Sequence, residues 1–275
     1  MTERSVLITG CSSGIGLASA ALLKQRGWRV LATARQDADL ARLRNDVGVE
    51  AIKLELADEA SIRSCAEAAL ELTDNKLYAV FNNGAYGQPG ALEDLDIAAV
   101  REQFTVNVFA AHELTRRLIP SMRANGAGRI VHCSSVLGLV AAPYRGVYCA
   151  SKFALEALAD TLRLELAGSG ISVSLIEPGP IDTKFIDHAM AAAKRHVDIA
   201  GSVHSARYEE MIAAMERGGT KTFKLPPDAV ASKLVQALES RRPKRRYYVT
   251  TPTYIVAAAR RLLPTAMLDW FAARN

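Results

Sequence analysis

Tyr148 and Lys152 stand four residues apart in Val147-Tyr148-Cys149-Ala150-Ser151-Lys152, and Ser135 lies 13 positions before the tyrosine. On a helix, residues four apart share one face, with Cβ atoms about 5–6 Å from each other. An ammonium beside a phenol favours the phenolate and draws its pKa down from about 10. A phenol tuned in this way can give a proton to a carbonyl oxygen or take one from an alcohol. Two surface side chains on a helix produce the same spacing by chance, so the pair gains meaning only from the rest of the chain.

A second chemistry-bearing segment is Thr9-Gly10-Cys11-Ser12-Ser13-Gly14-Ile15-Gly16, between a strand-like run and a helix-like one. Glycines let such a turn approach a pyrophosphate closely, while the helix N-terminus offers unpaired N–H groups. The spacing Gly-x-x-x-Gly-x-Gly is wider at the front than the usual dinucleotide fingerprint. A glycine-rich turn with no ligand fits the same residues.

These groups must be held by a scaffold, and the chain alternates apolar runs with amphipathic segments from its start. That rhythm predicts a parallel sheet with helices on both faces. Strands are expected at Ser5–Thr9, Trp28–Thr33, Ala51–Leu56, Leu77–Asn82, Arg129–Cys133, Ile171–Glu177 and Arg246–Thr250. Helices are expected at Gly14–Arg26, Glu59–Leu72, Ile97–Met122, Tyr148–Ala167 and from Pro226-Pro227-Asp228 to about Glu239. Residues 182–225 show no clear period and read as a variable loop with helical pieces. With no internal repeat and no low-complexity linker, residues 1–275 read as one α/β domain.

The composition, 49% apolar and 23% charged, is that of an ordinary globular protein. No stretch reaches the roughly 18 apolar residues of a membrane span. The chain passes from Met1-Thr2-Glu3-Arg4 straight into a strand, leaving no room for a signal peptide. Cys11, Cys65, Cys133 and Cys149 lack metal-ligand spacing and fit free thiols in a reducing cytosol. His112, His132, His188, His196 and His204 are equally scattered, so no metal site is expected. The net charge of +5 is concentrated at the end: residues 241–275 carry eight Lys/Arg and one acid, leaving about −2 for residues 1–240. The bulk of the domain therefore offers no basic face for nucleic acid.

Thr9–Gly16, Asn82-Asn83-Gly84, Asn107, Ser135, Tyr148/Lys152 and Pro178-Gly179, in this order, resemble the short-chain dehydrogenase/reductase family. The likeness covers about residues 4–183 and is most similar to bacterial NADP-dependent aldehyde reductases and the retinol and 17β-hydroxysteroid dehydrogenase branch. It implies a Rossmann-type doubly wound sheet. It further implies a catalytic group of Asn107, Ser135, Tyr148 and Lys152. Ser135, rather than its neighbour Ser134, would hold the substrate oxygen while Tyr148 moves the proton. Lys152 would lower the phenol pKa and bond the nicotinamide ribose, and Asn107 would hold a water linking Lys152 to solvent.

Nucleotide contacts are expected from Gly10, Ser12, Ser13, Gly14, Ile15 and Gly16, from Arg35 and Leu56, from Asn82 and Gly84, and from Asn107, Tyr148 and Lys152. Pro178, Gly179, Ile181 and Thr183 would shape the nicotinamide end. Glu55, Ala57 and the order Gly84-Ala85 depart from the family pattern on the adenine side. At the end of the second strand, an acid bonds a ribose hydroxyl whereas an Arg accommodates a 2′-phosphate. Thr33-Ala34-Arg35-Gln36 carries the Arg, which points to NADP(H). The alternative is a solvated Arg35 with Asp37 serving the ribose.

Leu137, Val140, Ala142, Pro143, Tyr144, Phe185, Ile186 and Met190 offer apolar lining, so the expected substrate is a hydrophobic aldehyde, ketone or alcohol. A homodimer or homotetramer in the cytoplasm is what the family suggests. The basic run Arg241–Arg246 and the apolar segments Thr251–Leu263 and Pro264–Phe271 could make a weak peripheral membrane contact, or simply pack on the domain. Two rival functions are a sugar-nucleotide epimerase or dehydratase, disfavoured by the Gly10/Gly14/Gly16 spacing, and a non-catalytic nucleotide sensor.

Overall fold

The computed structural model describes residues 4–216 and 222–272. Among these, seven strands form one sheet: β1 (Ser5–Ile8), β2 (Arg29–Ala34), β3 (Glu50–Lys53), β4 (Ala79–Asn82), β5 (Gly128–Cys133), β6 (Ile171–Glu177) and β7 (Arg246–Tyr248). The helices are α1 (Gly14–Gln25), α2 (Asp37–Arg42), α3 (Glu59–Leu72), α4 (Ile97–Phe104), α5 (Ala110–Ala124), α6 (Gly146–Glu165), α7 (Phe185–His196), α8 (Ser205–Glu216), α9 (Asp228–Glu239), α10 (Thr251–Leu262) and α11 (Thr265–Ala272). The strand order is β3-β2-β1-β4-β5-β6-β7, and each neighbouring pair is parallel. This is the doubly wound α/β sheet of Rossmann type. Its order reverses between β1 and β4, where a crevice opens at the carboxyl ends of the strands.

A sheet covered on both faces needs strands that are apolar on both sides. Within β1, Val6 and Ile8 enter a core shared with Leu23 of α1 and Leu234 of α9. Leu7 enters the opposite core, with Leu114 and Leu118 of α5 and Ala66 of α3. All four cysteines are buried. Burial pushes the Cys11 and Cys65 thiols up to about 12 and the Cys133 thiol up to about 11.

Several elements differ from the sequence expectation. The helix expected over Ile97–Met122 is interrupted: α4 and α5 are joined by a π-helical stretch, Thr105–Phe109. Such single-turn widenings occur often at functional sites, and Asn107 lies at the centre of this one. β3 ends at Lys53 rather than Leu56 because the following amides find side-chain partners: Glu55 N donates to Ser61 Oγ at 2.9 Å and Ala57 N to Glu55 Oε1 at 3.2 Å. β7 stops at Tyr248, and Thr250 precedes α10 instead of extending the strand. Helix α2, between β2 and β3, was not expected.

The variable segment contains α7 and α8 and is docked at several points, although residues 217–221 fall outside the described residues. Ile181 pairs with Leu225, and Lys224 Nζ meets Asp182 Oδ1 at 2.7 Å, so the two ends of the segment are clasped together. On α8, the Tyr208 hydroxyl donates to Asp94 Oδ2 at 2.7 Å and accepts from Ala91 N at 2.7 Å. His196 meets Glu102 at 3.0 Å and His204 meets Glu93 at 2.7 Å.

At the C-terminus, Arg260 of α10 donates to the Leu139 carbonyl and lies 4.8 Å over the Phe153 ring, packing the helix on α6. The basic run Arg241–Arg246 leads into β7, and α10 and α11 follow that strand. Residues 273–275 lie outside the described residues. No helix among the described residues is long and apolar enough to cross a membrane.

Candidate active site

Helix α6 starts at Gly146, so Tyr148 and Lys152 fall in its first two turns and face the carboxyl end of β5. Lys152 is buried, 2% exposed; its Nζ donates to the Cys133 carbonyl at 2.9 Å and lies 5.7 Å from the centre of the Tyr148 ring. Ser135 is the first residue of the tight turn after β5, where its Oγ accepts from Leu137 N at 3.1 Å and also faces the Tyr148 hydroxyl. Val136 N donates to the Pro178 carbonyl at 2.8 Å, tying the serine turn to the turn after β6. Ser134 is turned the other way, towards Gly138 and Glu156.

The expected lowering of the Tyr148 pKa by Lys152 is set against burial. In the structure, burial pushes that phenol above its ordinary value, with the Ser135 hydrogen bond opposing. Lys152 is itself pushed down by burial, with Cys133 and Glu156 pulling the other way. The ammonium is bonded to a backbone carbonyl, so desolvation decides the balance and the phenol holds its proton.

Asn107 is 2% exposed, and its amide is fully engaged: Oδ1 accepts from Tyr86 N at 3.1 Å, while Nδ2 donates to Tyr86 O at 2.9 Å and to Ser151 Oγ at 3.2 Å. The side chain thus joins the loop after β4 to α6. Asn82 Nδ2 donates to Thr115 Oγ1 at 2.9 Å and lies 3.3 Å from His132 Nδ1, turning its side chain into the sheet–helix interior.

The glycine turn forms a cradle that side chains would fill. A Cβ on Gly10 (φ +72°) would lie 2.8 Å from Gly84 Cα, one on Gly16 would lie 2.2 Å from Gly10 O, and one on Gly84 would lie 2.7 Å from Leu56 Cδ1. Gly14 (φ +55°) receives the Thr183 methyl, so Thr183 packs on the turn. Ser13 precedes α1 with no side-chain cap, so its hydroxyl leaves the first N–H groups of the helix without a bond from it. Backbone that is open, unpaired and dipole-aligned is the donor set a pyrophosphate needs. The residues present fit a dinucleotide.

Arg35 directly follows β2, with its side chain 63% exposed and 4.0 Å from Glu55. Asp37, the alternative ribose partner, is paired with Lys53 at 3.0 Å. At the far end, Pro178 is buried, Gly179 packs against Thr250, and Ile181 enters the clasp with Leu225. A groove of about 670 Å³ runs along Ser13, Gly14, Thr183 and Lys224, beside the cradle.

A family model for short chain dehydrogenases matches residues 4–194. The chain belongs to the short-chain dehydrogenase/reductase family. It is 45% identical over 268 residues to the uncharacterized oxidoreductase YbbO of Escherichia coli strain K12, covering 97% of this chain and 93% of that protein. Identity is 31% to an NADPH-dependent 3-dehydrocapnine reductase of Ornithobacterium rhinotracheale, covering 97% and 95% of the two chains. It is likewise 31% to human 17-beta-hydroxysteroid dehydrogenase type 1, covering 91% and 78%. A Burkholderia phymatum short chain dehydrogenase/reductase solved in complex with NAD superposes with a TM-score of 0.79 at 27% identity, covering 94% of both chains.

In this dehydrogenase/reductase, three further residues shape the site: Gln103, which sequence reasoning passed over, Asn83, named only within its motif, and Phe185, named only as apolar lining. Asn83 Nδ2 donates to Thr9 O at 2.9 Å and to Gly10 O at 3.2 Å, holding the glycine turn against the end of β4. Gln103 is fully buried; it accepts from Gln88 N at 2.6 Å and donates to Tyr86 O at 2.9 Å, fixing the same loop as Asn107. Phe185 packs its ring 5.5 Å from that of Tyr148, in a space where Gly87 has no room for a Cβ. Gln103 and Asn107 stand four apart, a spacing that could have flagged them as one face.

Proposed function

We propose that this chain is an NADP(H)-dependent oxidoreductase that reduces hydrophobic aldehydes or ketones to alcohols, or runs the reverse, with Tyr148 as general acid/base. The observation that carries the reading is the convergence of Ser135 and Lys152 on Tyr148 at the carboxyl edge of β5, beside a glycine cradle that fits a dinucleotide. The nucleotide, when bound, supplies or accepts the hydride. It would be held by the Gly10–Gly16 turn, Gly84, Leu56 and the Pro178–Thr183 turn.

The Ser135 hydroxyl orients a carbonyl oxygen by hydrogen bonding, and the protonated Tyr148 phenol donates to that oxygen as negative charge develops on it. Lys152 stabilises the phenolate left behind and favours its reprotonation. Asn107 and Gln103 hold the loop after β4, and Phe185 excludes water from one side of the phenol. The apolar ring over Tyr148 suits a hydrophobic substrate.

For the 2′-phosphate, the supporting features are an exposed Arg35 directly after β2 and an Asp37 already paired with Lys53. The NADPH-dependent reductase relative agrees with this, while the NAD-bound neighbour makes the choice a matter for measurement. Likeness to the human 17-beta-hydroxysteroid dehydrogenase favours a second reading, a retinol- or hydroxysteroid-type dehydrogenase using the same residues. A cofactor-oxidation screen with NADPH and NADH over medium-chain aldehydes, ketones and steroids separates these readings; no turnover with any carbonyl would reject both. Light scattering of the purified protein tests the expected homodimer or homotetramer.

A further inference from the structure

Behind Lys152 lies a cluster of buried charge. Arg246 reaches from β7 and donates to Glu156 and Asp160 on α6 and to Glu177 at the end of β6. Glu156 and Glu177 are held by the same nitrogen, Nη1, and both are buried, Glu177 completely. Two carboxylates gripping one nitrogen in a dry site disfavour each other's ionisation, which favours retention of one proton by the pair. Glu177 Oε2 is buried with no donor among the described residues, and Glu156 Oε1 has only the nearby Ser134 hydroxyl, so a shared proton supplies a missing donor. Glu177 is the more deeply buried of the two and lacks the Ser134 hydroxyl that faces Glu156, which favours it as the protonated member; burial and the neighbouring Glu156 push its carboxyl up. Glu156 is also raised by burial, with Ser134 and Arg246 opposing.

Glu156 stands one helical turn beyond Lys152, as Lys152 does beyond Tyr148, so the three share one face of α6. The groups facing Lys152 are Tyr148 and Glu156 on α6 and His132 and Cys133 on β5. Those facing Glu156 are Ser134 after β5, Glu177 on β6, Arg246 and Tyr248 on β7, and Arg260 and Arg261 of α10 across a cavity of about 400 Å³. Burial keeps the phenol, thiol and imidazole neutral. With Glu177 protonated, Glu156 is the anion left to balance a buried ammonium.

We propose that Glu156 is a positioning residue of the active site: its carboxylate, steadied by Arg246 while Glu177 keeps the proton, is the counter-charge that holds Lys152 as an ammonium. The inference rests on the reading of Tyr148 and Lys152 as the reactive pair, and its test does not depend on turnover. Full-length protein carrying ¹³C-labelled lysine reports the Lys152 titration by NMR, the resonance being assigned by its loss in Lys152→Met. Glu156→Gln moves that titration down by about one pH unit or more, a tenfold loss of proton affinity. Glu177→Gln, whose amide resembles a protonated acid, leaves it in place.

Coincident titrations for Glu156→Gln and wild type overturn the proposal, as does an equal shift in Glu177→Gln. Should Glu156→Gln not fold, Glu156→Asp decides, because withdrawing the charge by one methylene lowers the midpoint and an unmoved midpoint rejects the idea. In active protein, the high-pH limb of kcat for NADPH-dependent aldehyde reduction shifts in the same direction in Glu156→Gln. An inactive wild type with a shifted lysine titration would count against the enzymatic reading and in favour of this one.

Discussion

The Lys152 ammonium lies 5.7 Å from the centre of the Tyr148 ring while its hydrogen bond goes to the Cys133 carbonyl. The cation therefore acts on the phenol through space, and in the proposed reaction the phenol is the proton donor. Tyr148→Phe removes that donor without altering the ring packing against Phe185. The expected result is a kcat lower by about 10²–10⁴-fold. NADPH affinity, measured by fluorescence titration, should stay within about threefold of wild type, a change under 1 kcal/mol. Retained turnover would remove Tyr148 from the mechanism.

Arg35 is exposed and only loosely met by Glu55. If it binds a 2′-phosphate, Arg35→Ala loses a charge-assisted contact of about 1.5–3 kcal/mol. Steady-state assays with both cofactors should then show kcat/KM for NADPH falling by about 10–100-fold with NADH little changed. Equal losses for the two cofactors would mean that Arg35 does not read the phosphate.

Gly16→Ala places a Cβ 2.2 Å from the Gly10 carbonyl oxygen, a backbone atom that cannot swing aside. The turn must open, costing about 1–3 kcal/mol of stability. Denaturant unfolding should register that loss, and isothermal titration should show weakened nucleotide binding. A variant with wild-type affinity would separate the turn from the nucleotide.

His132 is buried on β5, and burial, followed by the charge of Lys152, lowers its pKa to about 4 from the ordinary 6.5. The folded state favours the neutral ring, so the unfolded chain binds the additional proton between these values. This contribution is complete above about pH 6.5 and is lost as pH falls towards about 4, with a ceiling of about 3 kcal/mol. His132→Gln should flatten the fall in urea-unfolding free energy between pH 7 and pH 4.5. Identical falls in both proteins would assign the acid sensitivity to other groups.

Phe185 covers one side of the Tyr148 ring from the start of α7. Phe185→Ala should raise KM most for the longest aldehydes, by about 10-fold for a lost side chain worth about 1.5 kcal/mol. A chain-length series of aldehydes measures this, and a uniform KM change across the series would remove Phe185 from the substrate pocket.

The sheet was legible because its strands are short apolar runs separated by glycine turns, and Val6, Leu7 and Ile8 each had a core to enter. The Tyr148/Lys152 pair was legible because helical spacing alone puts both on one face. The π-helical stretch at Thr105–Phe109 was not, since a one-residue widening leaves apolar periodicity almost intact. The helical pieces of the variable segment were expected, but the bounds of α7 and α8 were not legible, because their placement comes from contacts with Ala91, Asp94 and Glu102 distant in the chain. The burial of the phenol was not legible for a related reason: spacing gives proximity to the lysine, while the depth of burial that opposes it is a tertiary property.

The concealment of all four thiols carries a consequence for the proposed chemistry on reactive carbonyls. Aldehydes and oxidants attack thiolates, and a sulfhydryl kept protonated inside the core offers neither access nor nucleophile. Such a chain would tolerate its own electrophilic substrates without a reducing agent to rescue it.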